Sequence, residues 1–229
     1  MKPVLVTGDY KLTAKAVAKA VGIEVKEREV LEGSDLDKLS DERLKKVVSK
    51  IKIFARLDPR HKIRIVRAWQ KRKEVVVMIG DGVNDAPALK QADIGVALGS
   101  GTEVAKEASD LVLLNDSFKI IVETIEQGRV ILDNLRKSIA YILADSFTTV
   151  ILVGMSKIIF SWPIPILPVQ ILWNNFIEDT LPDIAYAFEP KEEGVMKRKP
   201  TPLEAPLLTK EMKVLIFGTG LIDELLTPF

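Results

Sequence analysis

A long apolar stretch is the feature that most restricts how this chain can fold. Residues 138–188 are mostly apolar, whereas residues 1–137 are rich in lysine and glutamate. Two runs within the stretch, Ile139–Phe160 and Ile164–Phe188, are each long enough to cross a bilayer as a helix. The connecting segment around Ser161–Pro168 contains no lysine or arginine. The pattern predicts a transmembrane hairpin, and the alternative is a pair of core helices in a soluble protein.

The basic residues around these runs predict their orientation. Arg136 and Lys137 precede the first run, and further lysine and arginine residues lie within residues 189–213. Because segments rich in lysine and arginine stay on the inner side of the membrane, residues 1–137 and 189–213 are expected to be cytoplasmic. Residues 214–229 form another apolar run, which we expect to be the start of a truncated transmembrane helix. The sequence therefore predicts a multi-pass membrane protein.

Residues 1–118 show a different pattern, in which short apolar runs alternate with helical ones. Strands are predicted at Val4–Thr7, Ile51–Ala55, Glu74–Ile79, Ile94–Leu98 and Leu111–Leu114. Helices are predicted at Leu12–Val21, Pro59–Arg72 and Ala86–Gln91. This alternation is typical of an α/β domain whose parallel sheet has helices on both faces. Ligands of such sheets bind beyond the carboxyl ends of the strands, where Thr7-Gly8-Asp9 and Asp81 fall.

Composition excludes several classes of site. The 33 basic and 32 acidic residues leave a net charge of +1, which gives no indication of a nucleic-acid partner. The chain has no cysteine, so disulfides, thiolate metal sites and a thiol nucleophile are excluded. Its single histidine, His61, cannot build a metal site alone. The first ten residues lack the pattern of a signal peptide.

The stretch Gly80–Asp85 combines two glycines with two carboxylates at the end of a predicted strand. Asp81 and Asp85 are four residues apart, and Gly80 and Gly82 allow the backbone to approach a ligand closely. A pair of carboxylates suits Mg²⁺, which takes few protein ligands and fills the remaining positions with phosphate oxygens and water. The alternative interpretation is a plain turn followed by an Asn or Asp helix cap.

Other residues could complete a phosphate site beside this stretch. Thr7 and Gly8 offer a hydroxyl and backbone amides to a phosphoryl oxygen, and Lys62 could neutralise phosphate charge. Together with a cation, these are most of the groups that phosphoryl transfer requires.

The second apolar run contains a polar stripe. Asn175, Asp179 and Asp183 are spaced by four residues, with Glu178 beside them. Pro182 interrupts the backbone there and is expected to free carbonyls, such as that of Ile177, to act as ligands.

On the first run, Asp145, Ser146 and Thr149 share a helix face. Ionisable groups inside a membrane are usually functional, and oxygen ligands from two helices suit a hard cation. The alternative is a set of hydrogen bonds that hold two helices together.

Several longer stretches resemble a known family. They are VTGDYKLTAKAVAKAVGI, ARLDPRHKIRIV, MIGDGVNDAPALKQADIGVALGSGTEVAKEASDLVLL, ILDNLRKSIAYIL, LPVQILWNNFIEDTLP and GVMKRKP. In this order they resemble the P-type cation-transporting ATPases of the calcium and sodium/potassium pump branch, over nearly all of the chain. The resemblance implies part of a haloacid-dehalogenase-like (Rossmann-like) α/β domain followed by transmembrane helices. It also implies a translocase in which ATP phosphorylates an aspartate and so drives cation transport through a lipid membrane.

The resemblance implies roles for individual residues. Asp81 would bind Mg²⁺ with Asp85, supported by Asn84. The aspartyl phosphate would contact Thr7, Gly8 and Lys62. Asp9 would act at the hinge toward the nucleotide domain. The transported cation would be bound by Asn175, Glu178 and Asp179, with Asp145 beside an expected ligand position. The carboxylates are rearranged relative to the family pattern, so Ca²⁺, Na⁺, K⁺ and H⁺ all stay open.

The family's nucleophile motif, Asp-Lys-Thr-Gly-Thr, does not occur in these residues. The nearest imitation, Ser34–Lys38, is predicted to be a solvated turn and helix start in a polar loop with no strand before it. The Thr-Gly-Glu motif and the nucleotide-binding domain that would hold ATP do not occur either. Without its acceptor the chain alone is expected not to hydrolyse ATP. A gene fragment, a split pump and a decayed pump are the possibilities, and the missing N-terminal half would be a partner.

The expected organisation has five parts. They are the C-terminal part of a phosphorylation domain at 1–118, a stalk helix at 119–137, a transmembrane hairpin at 138–188, a cytoplasmic loop at 189–213, and the truncated helix at 214–229. Two other functions are considered. One is a non-catalytic membrane protein that binds Mg²⁺ or phosphate and pairs with a complementary chain, and the other is a soluble phosphatase.

Overall fold

The computed structural model describes residues 1–159, 161–202 and 204–226. They divide into two compact units, Met1–Ile120 and Ile121–Phe229.

The first unit alternates strands and helices. Its strands are β1 (Leu5–Val6), β2 (Val30–Glu32), β3 (Ile53–Ala55), β4 (Val77–Gly80), β5 (Ile94–Leu98) and β6 (Leu111–Leu113). Its helices are α1 (Lys11–Ala20), α2 (Gly33–Asp37), α3 (Asp41–Val47), α4 (Pro59–Gln70), α5 (Ala86–Gln91) and α6 (Glu103–Glu107). All strand pairs are parallel, which confirms the predicted α/β class. They form two sheets, in the orders β1-β3-β2 and β4-β5-β6, where the sequence indicated one.

Both faces of the first sheet are covered, as the central strand β3 shows. Ile53 and Ala55 pack with Ala14 of α1 on one face. Phe54, between them in sequence, packs with Leu44 of α3 and Ile65 of α4 on the other face. This arrangement follows from the two-residue period of a strand, since successive side chains point to opposite faces. All three β3 residues are completely buried.

The second sheet has a smaller core that α4 shares. Met78 of β4 and Ala97 of β5 pack with Leu89 of α5, and Ile63 of α4 packs against the same cluster. The short helix α5 lies very close to β5, because a Cβ at Gly95 would lie 2.7 Å from the carbonyl oxygen of Leu89. Helix α4 therefore contacts the cores of both sheets.

The prediction that no strand precedes Ser34–Lys38 is wrong. The segment is largely solvated, as predicted, because its side chains other than Leu36 are exposed. Strand β2 ends one residue before α2, and Leu36 of α2 is completely buried. The predicted helix start is correct. The strand was missed because Val30 and Leu31 form a very short apolar run between charged residues, too short to show a period.

The second unit begins on a long helix. Helix α7 (Phe118–Gly154) continues into a π-helical turn at Met155–Ile159. The predicted stalk helix and the first apolar run thus form one helix up to residue 159, and Phe160 lies outside the described residues. Lys119–Ile159 is the one described helix long and apolar enough to cross a membrane.

The second apolar run is helical but interrupted. It comprises α8 (Pro168–Asn174), a π-helical turn at Asn175–Asp179, and α9 (Thr180–Ala187). Helix α10 (Lys210–Leu226) follows. Since a single described helix meets the length and hydropathy of a span, the transmembrane hairpin stays a prediction.

Within this unit, the segment after α9 is attached to α7 by polar contacts. The Asn134 side-chain amide donates to the carbonyl oxygen of Glu189 at 2.9 Å. The Arg129 guanidinium donates to the carbonyl oxygens of Val195 (2.8 Å) and Arg198 (3.0 Å). These bonds satisfy backbone carbonyls that a loop would otherwise leave to water.

An ion pair in the same attachment predicts a pH dependence. Lys137 lies 2.9 Å from Glu192, and this contact raises the pKa of Lys137 and lowers that of Glu192. A carboxyl group whose pKa is lowered in the folded state stabilises that state fully at a pH above its unfolded-state pKa. This stabilisation is lost as the pH falls through the folded-state pKa. We therefore expect the segment 189–199 to exchange amide hydrogens faster at pH 3 than at pH 7, after correction for intrinsic rates.

The matched variants for this measurement are Glu192→Gln and Glu193→Gln. The first should exchange rapidly at both pH values, whereas the second should behave as the unmodified chain, because Glu193 has no part in the Lys137 contact. Equal protection at pH 3 and pH 7 in the unmodified chain would contradict the assignment.

Candidate functional site

The loop after β1 is fixed to the connection that follows β3. The backbone amide of Thr7 donates to Phe54 at 3.0 Å, and that of Leu57 donates to Thr7 at 3.2 Å. The Thr7 hydroxyl oxygen accepts from the amide of Asp9 at 3.1 Å, so it organises the turn. Gly8 and Asp9 are exposed at the carboxyl end of the strand, as predicted.

Lys62 and Asp85 form an ion pair. Lys62 lies in the first turns of α4 and Asp85 immediately before α5, and they are 9% and 8% exposed. The Lys62 Nζ lies 2.5 Å from Asp85 Oδ1, while Asp85 Oδ2 accepts from the amide of Gly82 at 3.3 Å. Removing one partner of such a pair leaves an uncompensated buried charge, which is strongly destabilising. Two predicted site residues, 23 positions apart, are thus brought together.

The Gly80–Asp85 stretch is more than a plain turn. A Cβ at Gly80 would lie 2.5 Å from the Cβ of Asp85, so glycine is required for Asp85 to approach β4. Asp85 occupies the cap position of α5, but its side chain makes no capping hydrogen bond. Its carboxylate is directed to Lys62 instead, which argues against the helix-cap alternative. Asp81 and Asn84 are exposed on the same stretch.

The donors on this stretch fit a Mg²⁺ ion. Asp81 supplies an exposed carboxylate, and Asp85 supplies one already bonded to Lys62. Within the described ranges, no three or more His, Cys, Asp or Glu side chains gather into a metal site. One or two carboxylates, with water and phosphate completing the shell, is the coordination typical of Mg²⁺.

The polar stripe of the second unit surrounds the π-helical turn. Pro182 has no N–H, so the carbonyl of Glu178, four residues earlier, lacks its helical donor. The Tyr141 hydroxyl of α7 donates to that oxygen at 3.2 Å. The Thr180 hydroxyl donates to the carbonyl of Asn175 at 3.4 Å. Tyr141 was not among the predicted residues, because its partner is a backbone atom that no side-chain pattern reveals.

The side chains of the stripe differ in exposure. Asn175, Glu178 and Asp145 are exposed, and Asp179 is half-buried. One oxygen of Asp183 is buried without a hydrogen-bond partner in the described structure. These acids do not form a compact group of three in the described residues.

Comparison with known proteins places this arrangement in a class. Residues 1–93 and 63–125 match family profiles described as haloacid dehalogenase-like hydrolase. Residues 163–227 match the profile described as cation transporting ATPase, C-terminus. The first unit is therefore a haloacid-dehalogenase-like α/β fold, as expected.

Individual proteins named as cation-transporting ATPases are similar to this chain. The chain is 43% identical over 228 residues to calcium-transporting ATPase 1 of Bacillus cereus, covering 99% of this chain and 26% of that protein. It is 48% identical over 201 residues to the calcium-transporting ATPase of Bacillus subtilis, covering 87% and 22%. A crystal structure of a zinc-transporting PIB-type ATPase in the E2.Pi state aligns with a TM-score of 0.54 and 27% identity, covering 80% and 24%.

These matches confirm the resemblance to P-type cation-transporting ATPases. The chain spans about a quarter of the length of the curated relatives it matches.

Proposed function

We propose that residues 1–229 act as part of an ATP-driven cation pump, in which phosphorylation of an aspartate drives ion transport. The observation that carries the proposal is the buried Lys62–Asp85 pair beside the Gly80–Asp85 turn. The pair joins a segment with a lysine, a residue that binds phosphate, to a segment with two carboxylates, which bind Mg²⁺. The relatives, which are named as calcium- and cation-transporting ATPases, support the same class of reaction.

In this proposal the phosphate is held by Thr7, Gly8 and Lys62. Thr7 offers its hydroxyl, Gly8 its amide at an exposed turn, and Lys62 a charge on the phosphoryl oxygens. Asp9 follows directly and acts at the hinge toward the nucleotide domain, which would bring ATP.

Mg²⁺ is bound primarily by Asp81, whose carboxylate is exposed, with Asn84 beside it. A bound Mg²⁺ ion would neutralise the charge that develops during phosphoryl transfer. Asp85 can join it as a ligand only if its bond to Lys62 opens. We therefore propose that Lys62 moves from Asp85 to the phosphate when the site is filled.

The open sheet edges support a partner that completes the domain. In the described structure β1 is paired with β3 alone, and β4 with β5 alone. The residues of β1 are partly exposed, whereas those of β3 are completely buried. Exposed edges are templates for another strand. We propose that a segment outside residues 1–229, in the part of the relatives that this chain does not cover, pairs with these edges and supplies the acceptor aspartate.

The transported cation is proposed to bind along the second apolar run. Asn175, Glu178 and Asp179 supply oxygens from the π-helical turn, and Asp145 supplies a carboxylate from α7. The proposed layout keeps 1–118 as part of the phosphorylation domain, 119–137 as stalk, 138–188 as membrane hairpin, 189–213 as cytoplasmic loop, and 214–229 as the start of a further span. Residues 1–137 lie in the cytoplasm.

The test is phosphorylation with and without the remainder of a pump. Residues 1–229, expressed alone, should stay with membranes after a carbonate wash and form no acid-stable phosphoenzyme from ATP. Expressed together with the part of the Bacillus subtilis relative that this chain does not match, they should form one. A phosphoenzyme from the chain alone that Asp81→Asn removes would refute the need for an external acceptor. Recovery in the soluble fraction would refute the membrane layout.

A further inference from the structure

The only histidine of the chain is buried at the start of α4. His61 is 2% exposed, and both of its ring nitrogens have partners. The backbone amide of Asp58 lies 3.0 Å from Nδ1, and Asp37 Oδ1 of α2 lies 2.9 Å from Nε2. Asp37 belongs to the Ser34–Lys38 stretch, which contributes no residue to the proposed phosphate site.

These bonds fix the tautomer of the neutral ring. A backbone amide can only donate, so Nδ1 must accept, and the proton of the neutral ring lies on Nε2 and is donated to the Asp37 carboxylate. The pKa of Asp37 is lowered chiefly by this hydrogen bond. A Cβ at Gly33 would lie 3.1 Å from Nδ1 of the ring and 2.4 Å from the carbonyl oxygen of Arg56, so α2 lies directly against the ring.

The ring therefore ties α2 to the first turn of α4, and Lys62 is the next residue in that turn. Lys62 has a flexible four-carbon side chain, so its contact with Asp85 depends on where that turn is held. The main-chain bond from the amide of His61 to Asp58, at 3.0 Å, closes the same turn.

We propose that Asp37 and His61 are a positioning pair that holds Lys62 against Asp85. The functional importance of Lys62 rests on the proposed function. The contacts of Asp37 and His61 with the first turn of α4 do not depend on it. The Asp37–His61 pair is therefore tested without phosphoryl transfer, and its failure is distinct from failure of the pump proposal.

The first measurement uses the single histidine as a spectroscopic probe. In the ¹⁵N-histidine-labelled chain, the neutral imidazole should carry its proton on Nε2, and this proton should be protected from solvent exchange. Asp37→Ala should abolish the protection, whereas Arg60→Met should retain it. Arg60 is the matched control, because its guanidinium lies 3.7 Å from Oδ2 of Asp37, whereas the ring is bonded to Oδ1. A ring that is rapidly exchanging in the unmodified chain would overturn the proposal.

The second measurement reads the position of Lys62. Its acylation by an amine reagent, followed by mass spectrometry, should be slow in the unmodified chain. In Asp37→Ala and His61→Ala it should rise roughly tenfold or more, the ratio expected for loss of one hydrogen bond to a charged group. Asp37→Asn should restore part of the protection, since its amide oxygen still accepts, and Arg60→Met should change nothing.

Hydrogen exchange of the β3 amides distinguishes a displaced Lys62 side chain from unfolding of the domain. His61→Ala removes a buried ring, so the half-exposed Asp37 provides the second variant if His61→Ala does not fold. The expected result is unchanged β3 protection with a faster Lys62 reaction in Asp37→Ala. Unchanged Lys62 reactivity in Asp37→Ala, with β3 still protected, would overturn the proposal.

Discussion

Replacement of Asp81 by alanine is expected to reduce the rate of phosphoenzyme formation by roughly 100- to 1,000-fold, the usual loss when a group that stabilises transition-state charge is removed. The assay uses the two-part assembly of this chain with the remainder of the Bacillus subtilis relative. Asp81 is the exposed carboxylate of the Gly80–Asp85 turn, and Asp85 is already bonded to Lys62. In the proposed function Asp85 can bind the ion only after Lys62 has moved to the phosphate, so it is expected not to replace Asp81 as the primary ligand.

Dependence on Mg²⁺ distinguishes a lost ligand from a damaged fold. Asp81→Ala should also raise the Mg²⁺ concentration needed for any remaining activity. Glu103→Ala, which removes an exposed carboxylate on α6, is the control and should leave both quantities unchanged. Normal phosphorylation of the Asp81→Ala assembly would refute the assignment of Asp81 to Mg²⁺.

Replacement of Asp179 by asparagine is expected to remove the cation dependence of phosphorylation in the same assembly. A buried carboxylate in a membrane must pair with a cation or take up a proton, because an unpaired charge there is costly. Loss of a ligand carboxylate should weaken apparent cation affinity by about 100-fold or more, since even supporting groups of metal sites contribute about 10- to 100-fold. Asp179 lies at the end of the π-helical turn, next to α9.

Two further variants test cation preference and provide a control. Glu178→Thr should shift preference among Ca²⁺, Na⁺, K⁺ and H⁺ with less loss of affinity, and Asn174→Ala, at the end of α8, should have little effect. If Asp179→Asn keeps the unmodified cation dependence, the stripe is a hydrogen-bonded helix contact, of the kind that Tyr141 makes with Glu178.

The sequence predicted the elements that have a clear period or a strong local signal. The helix Ala86–Gln91 and the strand Ile94–Leu98 were predicted with the observed bounds. The predicted stalk helix and first apolar run join in one helix, α7, because no Pro interrupts the chain between them. Strand β2 and helices α3 and α6 were not predicted, and only the start of α2 was. Strand β2 has too few apolar residues to show a period, and α3 and α6 are short helices rich in charged residues.

The site divides in the same way. The turn residues Gly80 and Asp81 could be selected from local sequence, because two glycines and two carboxylates at the end of a predicted strand form a local pattern. The Lys62–Asp85 bond and the Asp37–His61 bond join residues 23 and 24 positions apart. No periodic pattern relates such positions, and their proximity arises only from the packing of α4 against both sheets. The sequence could not predict the division into two sheets either. The apolar pattern of a buried parallel strand is the same whichever strand pairs with it.

The π-helical turn at Asn175–Asp179 has a consequence for how related sequences should be compared. A π-helical turn corresponds to one residue inserted into an α-helix. Each residue of an α-helix turns the chain by about 100°. After the inserted residue, each side chain therefore faces the direction that a regular helical wheel gives to the residue before it. A relative with the same number of residues but a regular α-helix here would direct its counterpart of Asp183 about 100° away, even with every residue identical. The geometry of this turn, as much as its composition, thus determines which carboxylates face the same way.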